Sequence, residues 1–409
     1  MLDSLKHLAD LPEDYKRLKE NWKRALQEKV GLARIKPIIE DRAFLQKLMM
    51  AYYSQHHDGS SVYWIEEGGI VCPLLSQRTW IPDHLWDLDK ITPVWDEAAP
   101  LAKPLWQGLA QKLRNECNIN IQNNLTYRLT NVQASDKGII AMFSNGWYEE
   151  YIETCEALTW ELGQALLSTS GKSAPMRLTL RKILDEIKPH LSRRTSVSPF
   201  DMHSRSMTPG INTLTIVVTP KLNTITFLMH HRGGGKGQGL AEAIGTWHVV
   251  PAGTFQPLSK NDTYRRIEFS VWRNILREFG EELLDKEELI RQKSLLDPEA
   301  LFRDDEDLEY LYKIFETSGI DIRFLGLALD CVTLKPEILT LLIIDGNRLV
   351  SRWKELSDNW EGAHEIIPFS RENLTKWLKE PKLLPAAAGC IALTLKNYDE
   401  VMAAIEACA

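Results

Sequence analysis

The chain contains 409 residues, with a hydrophobic fraction of 44%, a charged fraction of 26% and a formal net charge of −7. This length exceeds what one hydrophobic core usually serves, so we expect two domains. The acidic balance, without a long basic stripe, argues against binding to a nucleic-acid duplex. The sequence also has no run of the roughly 18 apolar residues that a membrane span needs.

The cysteines and the N-terminal segment indicate the cellular compartment. The six cysteines are scattered and form no CxxC pair, which is typical of reduced intracellular thiols. The segment MLDSLKHLADLPEDYKRLKENWKR is charged throughout and does not resemble a signal peptide. We therefore expect a cytoplasmic protein without a membrane partner.

The first half of the chain mixes helical and strand patterns. Apolar residues recur at helical spacing in DYKRLKENWKRALQEKV and DRAFLQKLMMAYYSQHH, so residues 1 to about 57 are predicted to be helical. Two pairs of short apolar runs, around Gly68-Gly69 and around SDKG, each predict a β-hairpin. Helices are expected over YEEYIETCEALTWELGQALL and LTLRKILDEIKPHL. Together these patterns predict a separate, mostly helical α+β region over residues 1–195, of unknown role.

A change of composition separates this region from the rest. Residues 192–212 lack apolar periodicity and are rich in Ser, Thr, Arg and Pro, which is typical of a linker or a long mobile loop. Beyond it, TLTIVV and TITFLM predict a hairpin, and DIRFLGLALD and EILTLLIID predict two more strands. Helical segments lie among them, so residues 196–409 are predicted to form an α/β domain with a mixed sheet flanked by helices.

The segment LREFGEELL, which runs from Leu276 to Leu284, places three carboxylates among apolar residues. If residues 270–284 are helical, Glu278, Glu281 and Glu282 stand at i, i+3 and i+4 and lie at the edge of the buried face. Like charges in this arrangement repel one another, whereas Mg²⁺ or Mn²⁺ binds several carboxylate oxygens at once. On this pattern alone a solvated Glu-rich helix face is the more common arrangement, and a metal site is the alternative that the flanking sequence supports.

The order of elements around this helix resembles the Nudix hydrolase family. A glycine-rich loop precedes WHVVPAG, a strand that ends in a turn at Gly253, and REFGEE at Arg277–Glu282 follows on the helix. REFGEE matches the centre of the family signature, Gly-x5-Glu-x7-Arg-Glu-U-x-Glu-Glu-x-Gly-U, in which U is a bulky apolar residue. The resemblance covers approximately residues 211–395, and the motif itself lies within 245–284.

The sequence departs from this signature at its first glutamate and at both of its glycines, among other positions. The first glutamate of the signature falls on Phe269, and this chain has Glu268 one residue earlier. The two glycines of the signature fall on Thr263 and Leu284. TFQPLSKNDTYRRI therefore looks like an insertion. In the family the first glutamate of the signature pairs with the arginine, and Glu268 can reach Arg277 in its place only if the helix starts later or bulges.

The resemblance implies an α/β/α sandwich and a site for Mg²⁺ or Mn²⁺ formed by Glu278, Glu281 and Glu282. It implies a pyrophosphohydrolase that cleaves a phosphoanhydride in a nucleoside diphosphate derivative, with Arg277 and the three glutamates as the catalytic set. The general base would be one of these glutamates or a later carboxylate such as Glu361 or Glu365. The alternative is a catalytically degenerate Nudix domain that senses a nucleotide or regulates by binding it.

Four further residues are candidates for substrate binding. Arg232 opens the loop RGGGKGQG, which either connects strands or brings backbone amides to a phosphate. Trp247 either stacks on a base or belongs to the core, and Gly253 allows the backbone to turn before the helix. Glu361 is a candidate in a later loop, with an exposed loop charge as the alternative.

Two other signals are weak. The segment GKS at Gly171–Ser173 lacks the earlier glycine that a phosphate-binding loop requires. His230 and His231 follow a strand, and alternation sends them to opposite faces, so we do not expect them to share a metal ion. The partner we expect is a nucleotide-type small molecule, and a homodimer stays open as the assembly.

Overall fold

The computed structural model describes residues 12–28, 31–56, 62–100, 102–169, 180–233, 245–286, 297–317, 319–352 and 362–408. The elements up to residue 195 are, in chain order, α1 Pro12–Gln27, α2 Lys36–Ile39, α3 Arg42–His56, β1 Tyr63–Glu67, β2 Ile70–Ser76, β3 Trp86–Asp87, β4 Ile91–Trp95, α4 Leu109–Cys117, β5 Leu125–Ser135, β6 Gly138–Trp147, α5 Tyr148–Tyr151, α6 Ala157–Thr169, α7 Leu180–Ile187 and α8 Ser192–Thr195. A π-helical turn, Ile152–Glu156, joins α5 to α6.

The later elements contain the acidic segment. They are β7 Gly210–Thr219, β8 Thr224–Arg232, β9 Trp247–Val249, β10 Ala252–Thr254, α9 Asp262–Glu268, α10 Val271–Leu283, α11 Pro298–Asp304, α12 Glu306–Glu316, β11 Ile320–Asp330, β12 Pro336–Asp345, α13 Gly346–Arg352, β13 Gly362–Pro368, α14 Arg371–Leu378, α15 Pro385–Lys396 and α16 Tyr398–Cys408. The predicted hairpins are confirmed, because β1 pairs with β2, β5 with β6 and β7 with β8, each antiparallel.

Ten of the described strands form one mixed sheet. Its main path is β1-β2-β11-β12-β7-β8-β13, and β3, β9 and β10 pair with β11, β8 and β7. The pair β12–β7 is parallel, with Glu337 opposite Gly210. Strand β2 joins β11 through Leu75 opposite Leu329, so both halves of the chain contribute to this sheet. A second sheet has the order β4-β6-β5.

Helices pack on both faces of the large sheet. Because strand side chains alternate between faces, Leu339 and Leu341 of β12 lie in the apolar core that includes α15, whereas Leu342 lies in the core that includes α10. Gly389 of α15 packs so closely on the sheet that a Cβ at this position would overlap Leu74. The chain is therefore a mixed α/β protein, and the finer likeness to a Nudix sandwich stays a prediction.

The segment over residues 192–212 is not the exposed linker that its composition predicts. Arg194 and Arg205 are fully buried. Arg194 donates hydrogen bonds to the Tyr53 hydroxyl of α3, at 2.7 Å, and to the carbonyl of Val332, which follows β11. Arg205 donates to the carbonyl of Pro199 at 2.6 Å. Composition is misleading here because arginines that are satisfied by buried oxygens look the same in a sequence as arginines in water.

These contacts also connect the N-terminal region to the later part of the chain. That region shares the large sheet through β2, and Arg194 connects α3 to the turn after β11. Strand pairing between segments that are far apart in the sequence leaves no local signal, so the pattern of each half could not predict it. The division of the chain at residue 195 stays a prediction.

Candidate functional site

The acidic segment lies on α10, as its periodicity predicts. Ser270 directly precedes the helix in an extended conformation. The apolar residues of α10 are buried at helical spacing, and they are Val271, Ile275, Leu276, Phe279 and Leu283. Because burial of each such side chain contributes about 1.5–3 kcal/mol, this apolar face holds the helix against the core and sets the direction of its carboxylates.

The three glutamates of α10 lie at the edge of this buried face, as predicted. Glu278 and Glu282 are buried and Glu281 is partly buried. An Oε of Glu278 accepts a hydrogen bond from Nη2 of Arg277 at 2.9 Å, and Oε1 of Glu281 lies 3.7 Å from Nε of Arg277. Oε2 of Glu282 accepts a hydrogen bond from the backbone N–H of Ala252 at 2.8 Å. The helix is thus tied to β10 by one of its carboxylates.

Arg277 is buried between these carboxylates and the loop that follows β10. Its Nη1 donates to the carbonyl of Gln256 at 3.0 Å, and its Nη2 also donates to Oδ1 of Asn274 at 2.9 Å. Burial alone lowers the pKa of the guanidinium, but the charges of Glu278 and Glu281 outweigh burial and raise the pKa of Arg277 above its usual value. Arg277 therefore stays charged and compensates part of the repulsion within the acidic group.

Glu268 stands near the place of the first glutamate of the signature. It ends α9, and its carboxylate accepts hydrogen bonds from the backbone N–H groups of Leu258, at 3.1 Å, and Ser259, at 3.2 Å. Burial raises the pKa of Glu268, and the charge of Arg277 opposes this rise. Phe269 instead stacks on Phe255, with ring centroids 5.7 Å apart. The break between α9 and α10 thus brings Glu268 within electrostatic reach of Arg277.

Gly253 of β10 faces the acidic helix. A Cβ at this position would overlap the carboxylate of Glu278, so the approach of α10 to β10 depends on glycine. Gly253 pairs with Ile211 of β7, which anchors β10 to the large sheet. The sequence identifies this glycine as a turn residue, and the structure adds the contact with Glu278.

A polar cavity of about 180 Å³ lies beside β10. Its lining includes Ala252 and Gly253, the residues that contact Glu282 and Glu278. Arg232, a predicted substrate-binding residue, also lines it. The structure therefore brings two of the four predicted substrate-binding residues, Arg232 and Gly253, to one cavity beside β10. The described residues that line this cavity do not include Glu278, Glu281 or Glu282.

The outcome is different for Trp247 and Glu361, the other two predicted substrate-binding residues. Trp247 packs against Trp377 and His231, with ring centroids 4.9 and 4.6 Å away. These contacts agree with the alternative that Trp247 belongs to the core. Glu361 lies outside the described residues. Glu365, considered as a general base, is exposed on β13 opposite Met229. The position of Glu365 on a strand corrects its expected place in a loop.

Sequence reasoning missed several polar residues of the cavity. Asn212 donates to Oε2 of Glu337 at 2.8 Å, and Lys335 lies 3.3 Å from Oε1 of Glu337. Burial, with the nearby charges of Arg232 and Lys335, holds the pKa of His248 well below its usual range, so this imidazole is neutral. In the sequence, the one local sign of this polar group is Glu337, a charged residue at the start of the apolar strand EILTLLIID.

Three histidines stand in register across β13, β8 and β9. His364 pairs with His230, and His230 pairs with His248. Nδ1 of His230 lies 3.1 Å from Nδ1 of His364, and Nε2 of His364 lies 3.2 Å from the carbonyl oxygen of Glu282. His231 contacts Trp247 instead, so the expectation that His230 and His231 point in different directions is confirmed.

The donor set suits a hard divalent cation, because the carboxylates of Glu278, Glu281 and Glu282 supply oxygen ligands. The Glu278 carboxylate itself fills the space beside Gly253. In the arrangement seen across the described part of the chain, however, no three His, Cys, Asp or Glu side chains converge closely enough to hold a metal ion. A metal ion at α10 thus requires rotation of the glutamate side chains, and the metal site stays a prediction.

A scan against protein-family models finds no match to this chain, and a search of curated proteins finds no relative. Among the helices that the structure describes, none has both the length and the apolar character to cross a membrane. The relation to the Nudix family therefore depends on the motif within residues 245–284 and stays a prediction.

Proposed function

We propose that the protein is a metal-dependent hydrolase that cleaves a phosphoanhydride bond in a nucleoside diphosphate derivative. The observation that carries this proposal is the contact between Glu278 and Gly253, because Gly253 also lines the polar cavity. Ala252, the residue before Gly253, also lines the cavity, and its backbone N–H donates a hydrogen bond to Glu282. A carboxylate group and a cavity for a small molecule thus meet at β10.

The charges around the cavity support an anionic substrate. Arg42, Arg232 and Lys335 all line it. Lys335 is paired with the carboxylate of Glu337, which Asn212 also binds. Cations from separate elements that surround one polar cavity attract a phosphate-bearing ligand more strongly than the net charge of the chain would suggest.

Glu278, Glu281 and Glu282 would hold Mg²⁺ or Mn²⁺, and the bound ion supplies charge neutralisation at the phosphates and a more acidic water. Arg277 keeps the acidic group compact in the absence of the ion, since it contacts Glu278 and lies near Glu281. In the proposed reaction a water oxygen bonds to one phosphorus and the bond from that phosphorus to the bridging oxygen breaks. A glutamate carboxylate accepts the water proton, and the bridging oxygen leaves with the other phosphate.

The test measures release of phosphate-bearing products from a panel of nucleoside diphosphate derivatives with Mg²⁺ or Mn²⁺. We expect Glu281→Gln and Glu282→Gln to reduce turnover about 100-fold or more, since each removes a charged ligand or base. Glu186→Gln, at an exposed position of α7, is the matched control and should keep the wild-type rate. Full activity in both α10 variants would contradict the catalytic assignment.

The second candidate function is a nucleotide sensor without turnover. Two of the three glutamates already have protein partners, which favours this function over metal binding. Glu278 accepts a hydrogen bond from Arg277, and Glu282 accepts one from the backbone of β10. A sensor is stabilised by its ligand in thermal melting but releases no product. A metal-dependent rise in melting temperature together with product release supports the hydrolase instead.

A further inference from the structure

The polar cavity has walls from both halves of the chain. Arg42 and Gln46 come from α3, and Tyr148 and Tyr151 come from α5. The opposite side is formed by residues of the later strands, such as Arg232. The N-terminal region therefore does more than extend the sheet, because it also encloses the cavity beside β10.

Arg42 is held at this wall by residues of the helix that follows α5. Its Nη1 lies 3.4 Å from Oγ1 of Thr159, and its Nη2 lies 3.7 Å from Oε1 of Glu156. These contacts are long for charge-assisted bonds, which are typically about 2.7–2.9 Å. Arg42 thus presents a positive charge at the cavity wall, which favours a ligand anion.

The carboxylates that line the cavity have protein partners. Asp330 accepts hydrogen bonds from the backbone N–H groups of Val332 and Thr333, both at 2.8 Å. Glu337 accepts from Asn212 and is paired with Lys335. Neutral amide donors leave the carboxylate charges in place, so the three cations of the lining, Arg42, Arg232 and Lys335, stand against two carboxylates. The difference is one net positive charge, which favours an anion.

The tyrosines of α5 add a flat apolar surface. Tyr151 is buried, and its hydroxyl donates to Oε1 of Glu156 at 3.3 Å. Tyr148 is partly exposed, and its ring centroid lies 5.5 Å from that of Tyr151 with an angle of 31° between the planes. The fixed ring of Tyr151 thus supports Tyr148, which gives the cavity an aromatic wall suited to a planar heterocycle.

We propose that this N-terminal wall recognises a nucleoside diphosphate, with Arg42 binding a phosphate and Tyr148 contacting the base. The choice of a nucleotide as ligand rests on the proposed function. The wall itself requires no metal ion, so binding can be measured where hydrolysis cannot occur.

The test is isothermal titration calorimetry of the full chain with ADP, GDP, CDP and UDP in the presence of EDTA. We expect at least one of the four to bind, and Arg42→Gln and Tyr148→Leu each to raise its Kd about tenfold, as loss of roughly 1.4 kcal/mol implies. Arg181→Gln, at an exposed position of α7, and Tyr264→Leu in α9 are the matched controls and should keep the wild-type Kd.

Conservative variants separate recognition from folding. Tyr148→Phe keeps the ring and should bind as the wild type does, and Arg42→Lys keeps the charge and should recover part of the lost affinity. If a nucleotide binds the wild type and both Arg42→Gln and Tyr148→Leu with equal Kd, the proposal is wrong while the hydrolase proposal stands. Binding of none of the four nucleotides also overturns it, and turnover with metal ions then decides the hydrolase proposal separately.

Discussion

The carboxylate of Glu278 occupies the space that a side chain at position 253 would need. Gly253 belongs to a strand that is paired with β7, and Glu278 belongs to a helix that is packed on the core, so neither backbone is free to move away. The contact therefore couples the position of the acidic helix to the turn that lines the cavity.

This coupling predicts the effect of Gly253→Ala. The added methyl group would displace Glu278, and we expect a loss of about 1–3 kcal/mol in the free energy of unfolding, as for other overpacked sites. The double variant Gly253→Ala with Glu278→Asp should regain part of this loss, because aspartate is one methylene shorter. Urea unfolding of the two single variants and the double variant gives the coupling energy. Additive effects would show that the two residues do not interact.

Removal of the buried guanidinium of Arg277 should be far more damaging than removal of the partly buried guanidinium of Arg273. Arg277→Met leaves Glu278 without its partner, and loss of one member of a buried pair costs about 3–5 kcal/mol. Arg273→Met is the matched control on the same helix, because Arg273 pairs with the half-exposed Glu299, and it should cost no more than about 1 kcal/mol. Urea unfolding at neutral pH measures both losses, and equal losses would contradict this account.

The loss in unfolding free energy that Arg277→Met causes should also depend on pH. The charge of Arg277 opposes the rise that burial causes in the pKa of Glu268. Without the arginine this pKa rises further in the folded state, so the variant gains stability relative to the wild type as the pH falls. Unfolding free energies compared at pH 7 and near pH 5 test this sign. A deficit that stays constant over this interval would mean that packing, not charge, explains the loss.

Glu268 makes a separate prediction about pH. Burial raises the pKa of Glu268 in the folded protein above its usual value of 4.5, so the folded state binds the proton more tightly than the unfolded state. The stability advantage of the protonated carboxyl group is complete below pH 4.5 and is lost as the pH rises through the folded-state pKa. We expect the wild type to lose stability relative to Glu268→Gln over that interval, as measured by urea unfolding at closely spaced pH values. A difference independent of pH would refute the shift.

For His248 we expect the opposite dependence of stability on pH. Its pKa in the folded protein is well below the usual value of 6.5, chiefly because of burial. The contribution of the neutral imidazole is complete above pH 6.5 and declines as the pH falls, because the unfolded chain then takes up a proton that the folded chain excludes. His248→Asn should reduce the loss of stability between pH 7 and pH 5. His203→Asn, at an exposed position, is the control and should leave the dependence unchanged.

Local pattern was sufficient to predict the three hairpins and the course of α10. The paired apolar runs around Gly68-Gly69 form the β1–β2 hairpin, and the spacing of Ile275, Phe279 and Leu283 places the glutamates at the edge of the buried face. These features depend on residues a few positions apart, whose spacing is set by backbone geometry. Element type and the orientation of side chains can therefore be read from the chain.

The assembly of the cavity could not be predicted in this way. The residues Arg42, Asn212, Gly253 and Glu337 follow one another in the sequence at intervals of 170, 41 and 84 positions, yet they line one space. Composition also misled at Arg194, which is buried against Tyr53 and Val332. A buried arginine and a solvated one have the same letter, and only their partners distinguish them.

The chain by itself determined the helices, the hairpins and an acidic cluster on one side of α10, because each depends on the periodicity of neighbouring residues. Tertiary structure alone decided that β2 of the N-terminal region pairs with β11, that Glu278 lies against Gly253, and that Arg42 and Tyr148 face the same cavity as Arg232. The physical reason is that burial and long-range pairing are properties of the whole packed chain, in which the partner of a side chain is set by folding and not by its neighbours in sequence.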